Sequence, residues 1–188
     1  RLPDAHTVLE IGSGMGAFVH VARRKGLKVV GTEISEAGVA MAKDLFGVEL
    51  FCGVIEEMKD DSQFDVAVMW DVIEHCPRPD EVIANVAERL APDGRLLLTT
   101  GNYESRMRLQ SGANHYFHPR TMERLSLSNG FQNVSVERIE RIRSTEKVKK
   151  SQSSKRRGVL RHLNPIHLGR AVRWNCKELY AKWQWPDH

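Results

Sequence analysis

Residues 8–16 read VLEIGSGMG, and this stretch decides the fold of the chain. An apolar run surrounds Glu10, and glycines follow at alternate positions as Gly12, Gly14 and Gly16. The pattern predicts a buried strand that ends in a glycine loop and leads into a helix. Glycine lets the backbone turn sharply and leaves no Cβ in the way of a ligand. The amides that begin the next helix attract the negative part of a ligand. The loop therefore indicates a site for a nucleotide-like cofactor.

The composition of the 188-residue chain is that of an ordinary globular protein, with 41% hydrophobic and 28% charged residues. The sequence has no apolar run near the ~20 residues of a membrane span, and nothing in it resembles a signal peptide. Cys52, Cys76 and Cys176 are far apart, odd in number and match no metal spacing, which is typical of reduced thiols. We therefore expect a cytoplasmic domain that is long enough to bury a core.

The net charge of +4 is unevenly distributed along the chain. Residues 1–137 hold 14 Lys/Arg and 20 Asp/Glu, a net charge of −6, whereas residues 138–188 hold 14 and 4, a net charge of +10. Residues 144–163 read as a basic linker, and residues 164–188 read as an amphipathic C-terminal helix. Three interpretations of this tail stay open: a solvated or partner-packed helix, contact with a membrane surface, or contact with nucleic acid. The acidic first part of the chain disfavours nucleic acid.

Strand and helix patterns alternate through the first 137 residues, which predicts an α/β, doubly wound, Rossmann-like fold with a mostly parallel sheet. The predicted strands cover residues 6–11, 28–33, 48–52, 64–70, 95–100 and 131–136, and the predicted helices cover 17–25, 35–46, 80–90 and 119–129. Right-handed crossovers bring the loops after the first, second and fourth strands to the carboxyl edge of the sheet. Ligands of such folds bind at that edge.

The glycine loop alone fits two cofactors. Gly12, Gly14 and Ala17 satisfy the dinucleotide fingerprint of NAD-binding proteins. Glu33 ends the second predicted strand 17 residues after Gly16, where a carboxylate can accept both ribose hydroxyls of NAD or of S-adenosylmethionine. An acidic residue directly before the loop and two later segments favour S-adenosylmethionine.

Three segments carry a family resemblance: E-x-G-x-G-x-G at 10–16, FDVAVMWDVIEH at 64–75 and LAPDGRLLL at 90–98. In this order they resemble the class I S-adenosylmethionine-dependent methyltransferases, and among them the ubiquinone-biosynthesis-type O-methyltransferases and related small bacterial methyltransferases. The resemblance implies a seven-stranded sheet whose last strand is antiparallel, with the seventh strand near residues 137–143. It also implies a methyltransferase domain over residues 1–143, from which the family's N-terminal helix is missing.

The resemblance implies that S-adenosyl-L-methionine is the cofactor and which residues bind it. The expected cofactor-binding residues are Glu10, Gly12, Gly14, Gly16, Glu33, Ile34, Val54, Ile55, Trp70 and Asp71. Glu10 is expected to face the amino-acid end of the donor, and Trp70 and Asp71 to line its methionine end. The glycines let the backbone pass close to the donor, and Glu33 binds the ribose hydroxyls.

Adenine is expected between Ile34 and the loop that contains Val54 and Ile55. Many relatives have Asp where this chain has Val54, so we expect that side-chain hydrogen bond to be absent. Backbone amides or Glu56 are the expected replacements.

Methyl transfer asks for an acceptor atom held in line, ~3 Å from the methyl group, with water excluded. A hydroxyl acceptor also needs a base near its proton, and histidine titrates near neutrality. His75 and His115 are the candidate catalytic residues, although packing or loop roles fit them as well. His118 is expected to cap the following helix, and Tyr103 and Tyr116 are candidates for an aromatic wall.

The predicted function is transfer of a methyl group to a small-molecule or lipid-linked acceptor, at oxygen, in the cytoplasm or at the periphery of a membrane. No paired carboxylates suggest a catalytic metal. One alternative is an NAD-dependent oxidoreductase, which is disfavoured because no second catalytic domain follows. The other is a non-catalytic binding module that keeps the fold. Neither the acceptor nor the oligomeric state can be derived from the sequence.

Overall fold

A computed structural model describes residues 5–59, 61–101 and 113–137. Its strands are β1 (Thr7–Ile11), β2 (Lys28–Glu33), β3 (Phe51–Cys52), β4 (Phe64–Trp70) and β5 (Leu90–Thr99). Its helices are α1 (Ala17–Arg24), α2 (Glu36–Phe46), α3 (Pro79–Glu88) and α4 (Pro119–Ser128). Short 3-10 turns occupy Ile55–Glu57 and Ile73–His75. The C-terminal linker and helix predicted at 144–188 lie outside the described residues.

The five strands form one parallel sheet in the order β3-β2-β1-β4-β5. The chain runs outward from β1 to β3, returns to the other side of β1 as β4, and continues to β5. Helices cover both faces of the sheet. On one face Leu9 packs with residues of α3 and α4, and on the other face Gly31 lies against Val19 of α1. The predicted doubly wound, Rossmann-like α/β fold is confirmed. The reversal between β1 and β4 marks the edge where such folds bind ligands.

The core lies mainly between the sheet and helices α3 and α4. Leu9 of β1 and Met69 of β4 have no exposed surface, and they pack with Ile83 and Val86 of α3 and Met122 of α4. Burial of such side chains contributes roughly 1.5–3 kcal/mol each relative to an exposed position. The core therefore fixes β1 and β4 as the central pair that carries the site at its carboxyl edge.

Asp65 joins the amino ends of β1 and β4. Its Oδ2 accepts hydrogen bonds from the amides of His6 and Thr7, both at 2.8 Å, and from Thr7 Oγ1 at 2.9 Å. The amide of Asp65 in turn donates to Thr7 Oγ1 at 3.0 Å. Although partial burial opposes them, these hydrogen bonds lower the pKa of Asp65 below its usual value. The start of the FDVAVMW segment thus holds β1 and β4 in register.

The sixth predicted strand, at 131–136, is wrong. Residues 131–137 form no strand within the described part of the chain. Asn133 has a φ of 54°, which breaks the extended backbone, and Val136 is 40% exposed. The apolar pattern of Phe131, Val134 and Val136 therefore does not build a strand. The sheet has five strands among the described residues, and the seventh strand expected near 137–143 lies almost wholly outside them.

Two strand boundaries also differ from the sequence prediction. β3 has two residues instead of five, because Val48 is buried beside Gly16 rather than paired with β2. β5 begins at Leu90, and the Pro92-Asp93-Gly94 turn lies inside it as a bulge. The register shifts there, from Phe64 opposite Leu90 to Val66 opposite Arg95. The sequence predicted a turn before the strand at these residues. In the structure the strand continues on both sides of them, so they form a bulge instead.

Candidate cofactor and acceptor site

The glycine loop joins β1 to α1 at the carboxyl edge of the sheet. Gly12 and Gly14 have left-handed φ values of 71° and 55°. A Cβ on Gly12 would lie 2.6 Å from Cγ2 of Val72, in the segment after β4, whereas a Cβ on Gly14 would meet nothing within 4 Å. A Cβ on Gly16 would lie 2.9 Å from the Cβ of Ala42. Gly12 and Gly16 are therefore needed for packing, and only Gly14 borders open space.

Glu33 fixes the loop to the end of β2. Its Oε2 accepts a hydrogen bond from the amide of Gly14 at 2.6 Å, and its Oε1 accepts one from the amide of Ser35 at 2.9 Å. Each carboxylate oxygen has a second lone pair. The side chain is therefore oriented by the backbone and can still accept further hydrogen bonds.

Two exposed apolar side chains follow neighbouring strands beside Glu33. Ile34 is 73% exposed and Val54 is 42% exposed. They lie on the loops after β2 and β3, whose ends pair through Glu33 and Cys52. An apolar pair beside a carboxylate suits a flat, apolar ring that carries a polar sugar. Ile55, by contrast, is only 2% exposed and lies in the core, so only its backbone is available to a ligand.

Glu56, one of the expected replacements for the missing Asp, is hydrogen-bonded to α3. Its Oε1 accepts a hydrogen bond from Nδ2 of Asn85 on α3 at 2.8 Å. Instead, Oε2 of Glu57 accepts from the amide of Val54 at 3.3 Å. The loop after β3 is thus tied together by Glu57, a residue that the sequence did not single out. Its only sequence signal was its position three residues after Val54 at the start of a helical turn.

Glu10 is a buried carboxyl group directly before the loop. It is 3% exposed, and its Oε2 has no hydrogen-bond partner among the described residues. The pKa of Glu10 is raised to about 8, mainly by burial; a hydrogen bond with Ser13 opposes the rise and the charge of Glu33 adds to it. An unsatisfied buried polar atom is uncommon in native proteins, so Glu10 marks a place where a ligand donor fits.

Trp70 supplies a second unsatisfied polar atom on the same face of the sheet. Glu10 lies opposite Val68 in the β1–β4 register, and Trp70 follows two residues later on the same side of β4. The Nε1 of Trp70 is buried without a hydrogen-bond partner in the described part of the chain. Its ring packs edge-on against Phe18 of α1, with ring centroids 5.8 Å apart. An unpaired acceptor and an unpaired donor therefore lie near the glycine loop.

Asp71 directly follows β4 and has an unusual backbone conformation. Its φ is 54°, a left-handed value that is uncommon outside glycine. Thr99 of β5 holds it there: Thr99 Oγ1 donates to Asp71 Oδ1 at 3.0 Å, and the Asp71 amide donates to the Thr99 carbonyl at 3.1 Å. Asp71 thus turns the chain at the carboxyl edge, beside the site.

The two candidate bases lie near one another at this edge. Nδ2 of Asn114 donates to the carbonyl of His75 at 2.7 Å, so the segment with His115 lies against the turn after β4. Nε2 of His115 is 3.4 Å from the carbonyl of Pro77, and its ring is 6.0 Å from that of Phe117. His118 has the structural role expected for it, since its Nδ1 accepts from the Arg120 amide at the start of α4.

Tyr116, the second candidate for an aromatic wall, is 41% exposed in the same segment. Tyr103, the other candidate, lies outside the described residues. Within residues 5–59, 61–101 and 113–137, no cluster of three or more His, Cys, Asp or Glu side chains is arranged to hold a metal ion. The helices of this part of the chain include none long and apolar enough to span a membrane.

Comparisons with known proteins identify the family of the chain. Residues 1–136 match the methyltransferase domain family. A ubiquinone biosynthesis O-methyltransferase of Coxiella burnetii is 31% identical over 101 residues, which cover 50% of this chain and 43% of that protein. The chain thus spans less than half the length of this curated relative.

Two solved structures have the same fold. A SAM-dependent methyltransferase of Archaeoglobus fulgidus superposes with a TM-score of 0.66 at 21% identity, over 81% of this chain and 73% of that one. The SAM-bound structure of an amino pentose methyltransferase of Micromonospora echinaspora gives a TM-score of 0.50 at 26% identity, over 54% of this chain and 45% of that one. The expected resemblance is confirmed, with S-adenosylmethionine as its cofactor. The chain belongs to the methyltransferase domain family, within the class I S-adenosylmethionine-dependent methyltransferases.

Proposed function

We propose that the protein transfers the methyl group of S-adenosylmethionine to an oxygen atom of a small-molecule or lipid-linked acceptor. The observation that carries the proposal is the position of Glu33. Its carboxylate is held by the Gly14 amide at 2.6 Å, beside the open space at Gly14 and the exposed side chain of Ile34. A sugar hydroxyl and an apolar ring would find both of their partners there. The O-methyltransferase named among the relatives supports oxygen as the acceptor atom.

The described residues fit the nucleoside half of the donor. Glu33 would accept hydrogen bonds from the ribose hydroxyls through its free lone pairs. Ile34 and Val54 would cover the adenine ring, which would remove their exposed apolar surface from water. The amide of Val54 already donates to Glu57, so recognition of the adenine edge would rest on other groups of this loop, such as the backbone of Ile55.

The two unsatisfied buried atoms fit the amino-acid half of the donor. That half carries an ammonium group, which donates hydrogen bonds, and a carboxylate, which accepts them. Glu10 Oε2 would accept from the ammonium group, and Trp70 Nε1 would donate to the carboxylate. The buried site strengthens both hydrogen bonds, because the local dielectric constant is low.

When bound, the cofactor supplies an electrophilic methyl group on a sulfonium centre. The protein then has to hold the acceptor oxygen in line with it and exclude water. A neutral imidazole at the carboxyl edge would take the hydroxyl proton as the oxygen becomes a nucleophile. His115 and His75 are both candidates for this role, with Tyr116 as a wall for the acceptor.

The lipid-linked form of the acceptor rests on the charge of the tail. Residues 138–188 hold 14 Lys/Arg and 4 Asp/Glu, and such a segment is attracted to anionic lipid headgroups. Pelleting with anionic vesicles would test this, with the full chain compared with a chain that ends at residue 143. Equal pelleting of both chains would rule out the membrane contact and leave a soluble acceptor.

The proposed reaction is tested with labelled S-adenosylmethionine and a panel of hydroxyl compounds, both water-soluble and lipid-linked. We expect label transfer to at least one hydroxyl acceptor, and loss of that transfer in Glu33→Ala. Donor binding without transfer to any acceptor, in an assay where a control methyltransferase is active, would favour the alternative of a non-catalytic binding module.

A further inference from the structure

Glu74 is a buried carboxylate that the proposed chemistry does not use. It lies in the 3-10 turn Ile73–His75 after β4 and is 1% exposed. Its Oε2 accepts a hydrogen bond from Thr100 Oγ1 at 2.9 Å, and its Oε1 accepts one from the Gly101 amide at 3.3 Å. Both carboxylate oxygens are thus committed to the stretch that follows β5. A charged group is almost never buried without such partners.

The main chain of Glu74 holds a second stretch. Its carbonyl oxygen accepts hydrogen bonds from the amide of Asn114 at 2.8 Å and from the amide of His115 at 3.0 Å. The Asn114 side chain adds its hydrogen bond to the His75 carbonyl at 2.7 Å. The side chain of Glu74 therefore binds the end of β5, while its backbone binds the segment that leads into α4.

These two stretches are the two ends of one part of the sequence. Gly101 and Asn114 are separated by the twelve residues 102–113, and both are hydrogen-bonded to Glu74. The stretch that begins at Asn114 also carries His115 and Tyr116, the candidates for the base and for the wall of the acceptor. Of the proposed donor residues, Glu33, Ile34 and Val54 lie on the other side of β1, at the ends of β2 and β3, whereas Trp70 and Asp71 lie at the end of β4. The hydrogen bonds of Glu74 given above reach none of these five residues.

We propose that Glu74 is a positioning residue for methyl transfer, which fixes the end of β5 and the His115 segment relative to each other. This inference rests on the proposed function for its catalytic consequence. Glu74 does not touch the reacting atoms. It sets the position of His115 and of the neighbouring Tyr116 through its hydrogen bonds, so its loss lowers acceptor affinity and turnover and leaves donor affinity unchanged.

The first test uses Glu74→Gln and amide hydrogen exchange in the full chain. Glutamine keeps the shape, but its NH₂ group can only donate, so one of the two donors at Thr100 and Gly101 loses its acceptor. We expect exchange to rise at least tenfold in peptides covering residues 98–101 and 113–117, with no change in α1. The affinity for S-adenosylhomocysteine, measured by calorimetry, should stay within twofold. Faster exchange in only one of the two peptides, or in neither, would overturn the proposal.

A milder pair of variants, Thr100→Val and Thr100→Ser, keeps the test decisive even where Glu74→Gln fails to fold. Valine removes the hydroxyl donor and keeps the shape, whereas serine keeps the donor. Exchange at the amides of Asn114 and His115 should rise at least threefold in Thr100→Val and return to the wild-type rate in Thr100→Ser. Thr100 has no hydrogen bond to either residue among those described, so an unchanged rate in Thr100→Val would contradict a link through Glu74.

The catalytic consequence is measured with any acceptor that the wild-type protein methylates. We expect Glu74→Gln to raise the acceptor KM and to lower kcat, so that kcat/KM for the acceptor falls at least tenfold. The donor KM should not change. Glu81→Gln, which removes an exposed ion pair with Arg78, is the matched control. A wild-type protein that does not bind S-adenosylhomocysteine refutes the proposed function, whereas the exchange experiment still tests the link between the two stretches.

Discussion

Glu33 accepts a hydrogen bond from the amide of Gly14 at 2.6 Å, so the residue expected to bind the ribose also fixes the glycine loop. The Ser35 amide holds the second oxygen of this carboxylate at 2.9 Å. The end of β2 and the loop after β1 are thereby set in one geometry without a ligand. Such preorganisation reduces the ordering cost that binding would otherwise carry. The geometry proposed for binding the donor is thus set by hydrogen bonds from the backbone.

Gly12 and Gly14 should respond differently to the same substitution. In Gly12→Ala the new Cβ would lie 2.6 Å from Val72 Cγ2 at a φ of 71°, so strain and overpacking together should cost roughly 2–4 kcal/mol of unfolding free energy. In Gly14→Ala only the strain applies, roughly 1–2 kcal/mol. Urea unfolding of both variants measures the difference. Equal losses would contradict the packing role of Gly12.

The same pair should separate stability from binding. Gly14 is the glycine of this loop that borders open space. A Cβ there would occupy space that the ligand needs, so Gly14→Ala should weaken S-adenosylhomocysteine binding even where the protein is fully folded. Calorimetry of folded Gly14→Ala checks this. Unchanged affinity would place the ligand away from Gly14.

Glu10 should make the stability of the protein depend on pH. The unfolded chain releases this proton near pH 4.5, whereas the folded protein keeps it up to about pH 8. Between these values the folded state binds more protons, so its stability falls as the pH rises and levels off above pH 8. The loss is at most ~1.4 kcal/mol per pH unit. Glu10→Gln should therefore gain stability over the wild type from pH 5 to pH 8.

Urea unfolding of both proteins at pH 5, 6.5 and 8 measures this difference. The comparison cancels the titration of other groups, among them Asp65, whose hydrogen bonds with His6 and Thr7 are unaffected by the substitution. A stability difference that does not change with pH would contradict the buried, protonated state of Glu10. The same variant should bind S-adenosylhomocysteine more weakly, because the amide keeps an acceptor oxygen but cannot release a proton and pair as a carboxylate with the ammonium group.

The two candidate bases should differ in their effect on turnover. If His115 takes the acceptor proton, His115→Gln should lower kcat roughly 10²–10⁴-fold. His75→Gln should then leave kcat close to the wild-type value. His118→Gln is the control, because its Nδ1 caps α4 and its loss should affect stability alone. A larger loss of kcat in His75→Gln than in His115→Gln would exchange the two roles.

The sequence predicted the strand, the glycine loop and the position of Glu33 because these signals are local. The glycines, Glu33 and the exposed Ile34 are all within one β-α-β unit, where neighbours in sequence are neighbours in space. The fold class followed from the alternation of patterns for the same reason. The burial of Ile55 was not predicted, because the sequence does not distinguish an apolar loop residue that faces a ligand from one that packs in the core.

The acceptor side depends on partners distant in sequence. Glu74 bonds with Thr100 and Gly101 more than 25 residues away, and with the segment near His115 a further dozen residues on. Nothing in DVIEH reveals those partners. The strand predicted at 131–136 was wrong because Asn133 turns the backbone, and an asparagine tolerates both extended and left-handed conformations.

The most direct measurement is calorimetric titration of the full chain with S-adenosylhomocysteine and with NAD under the same conditions. We expect micromolar binding of S-adenosylhomocysteine and no binding of NAD. Glu33→Ala should lose roughly 1–3 kcal/mol of that binding free energy, the cost of hydrogen bonds to a charged group. Glu88→Ala, an exposed residue at the end of α3, should lose none. Binding of NAD without S-adenosylhomocysteine, or unchanged affinity in Glu33→Ala, would contradict the account.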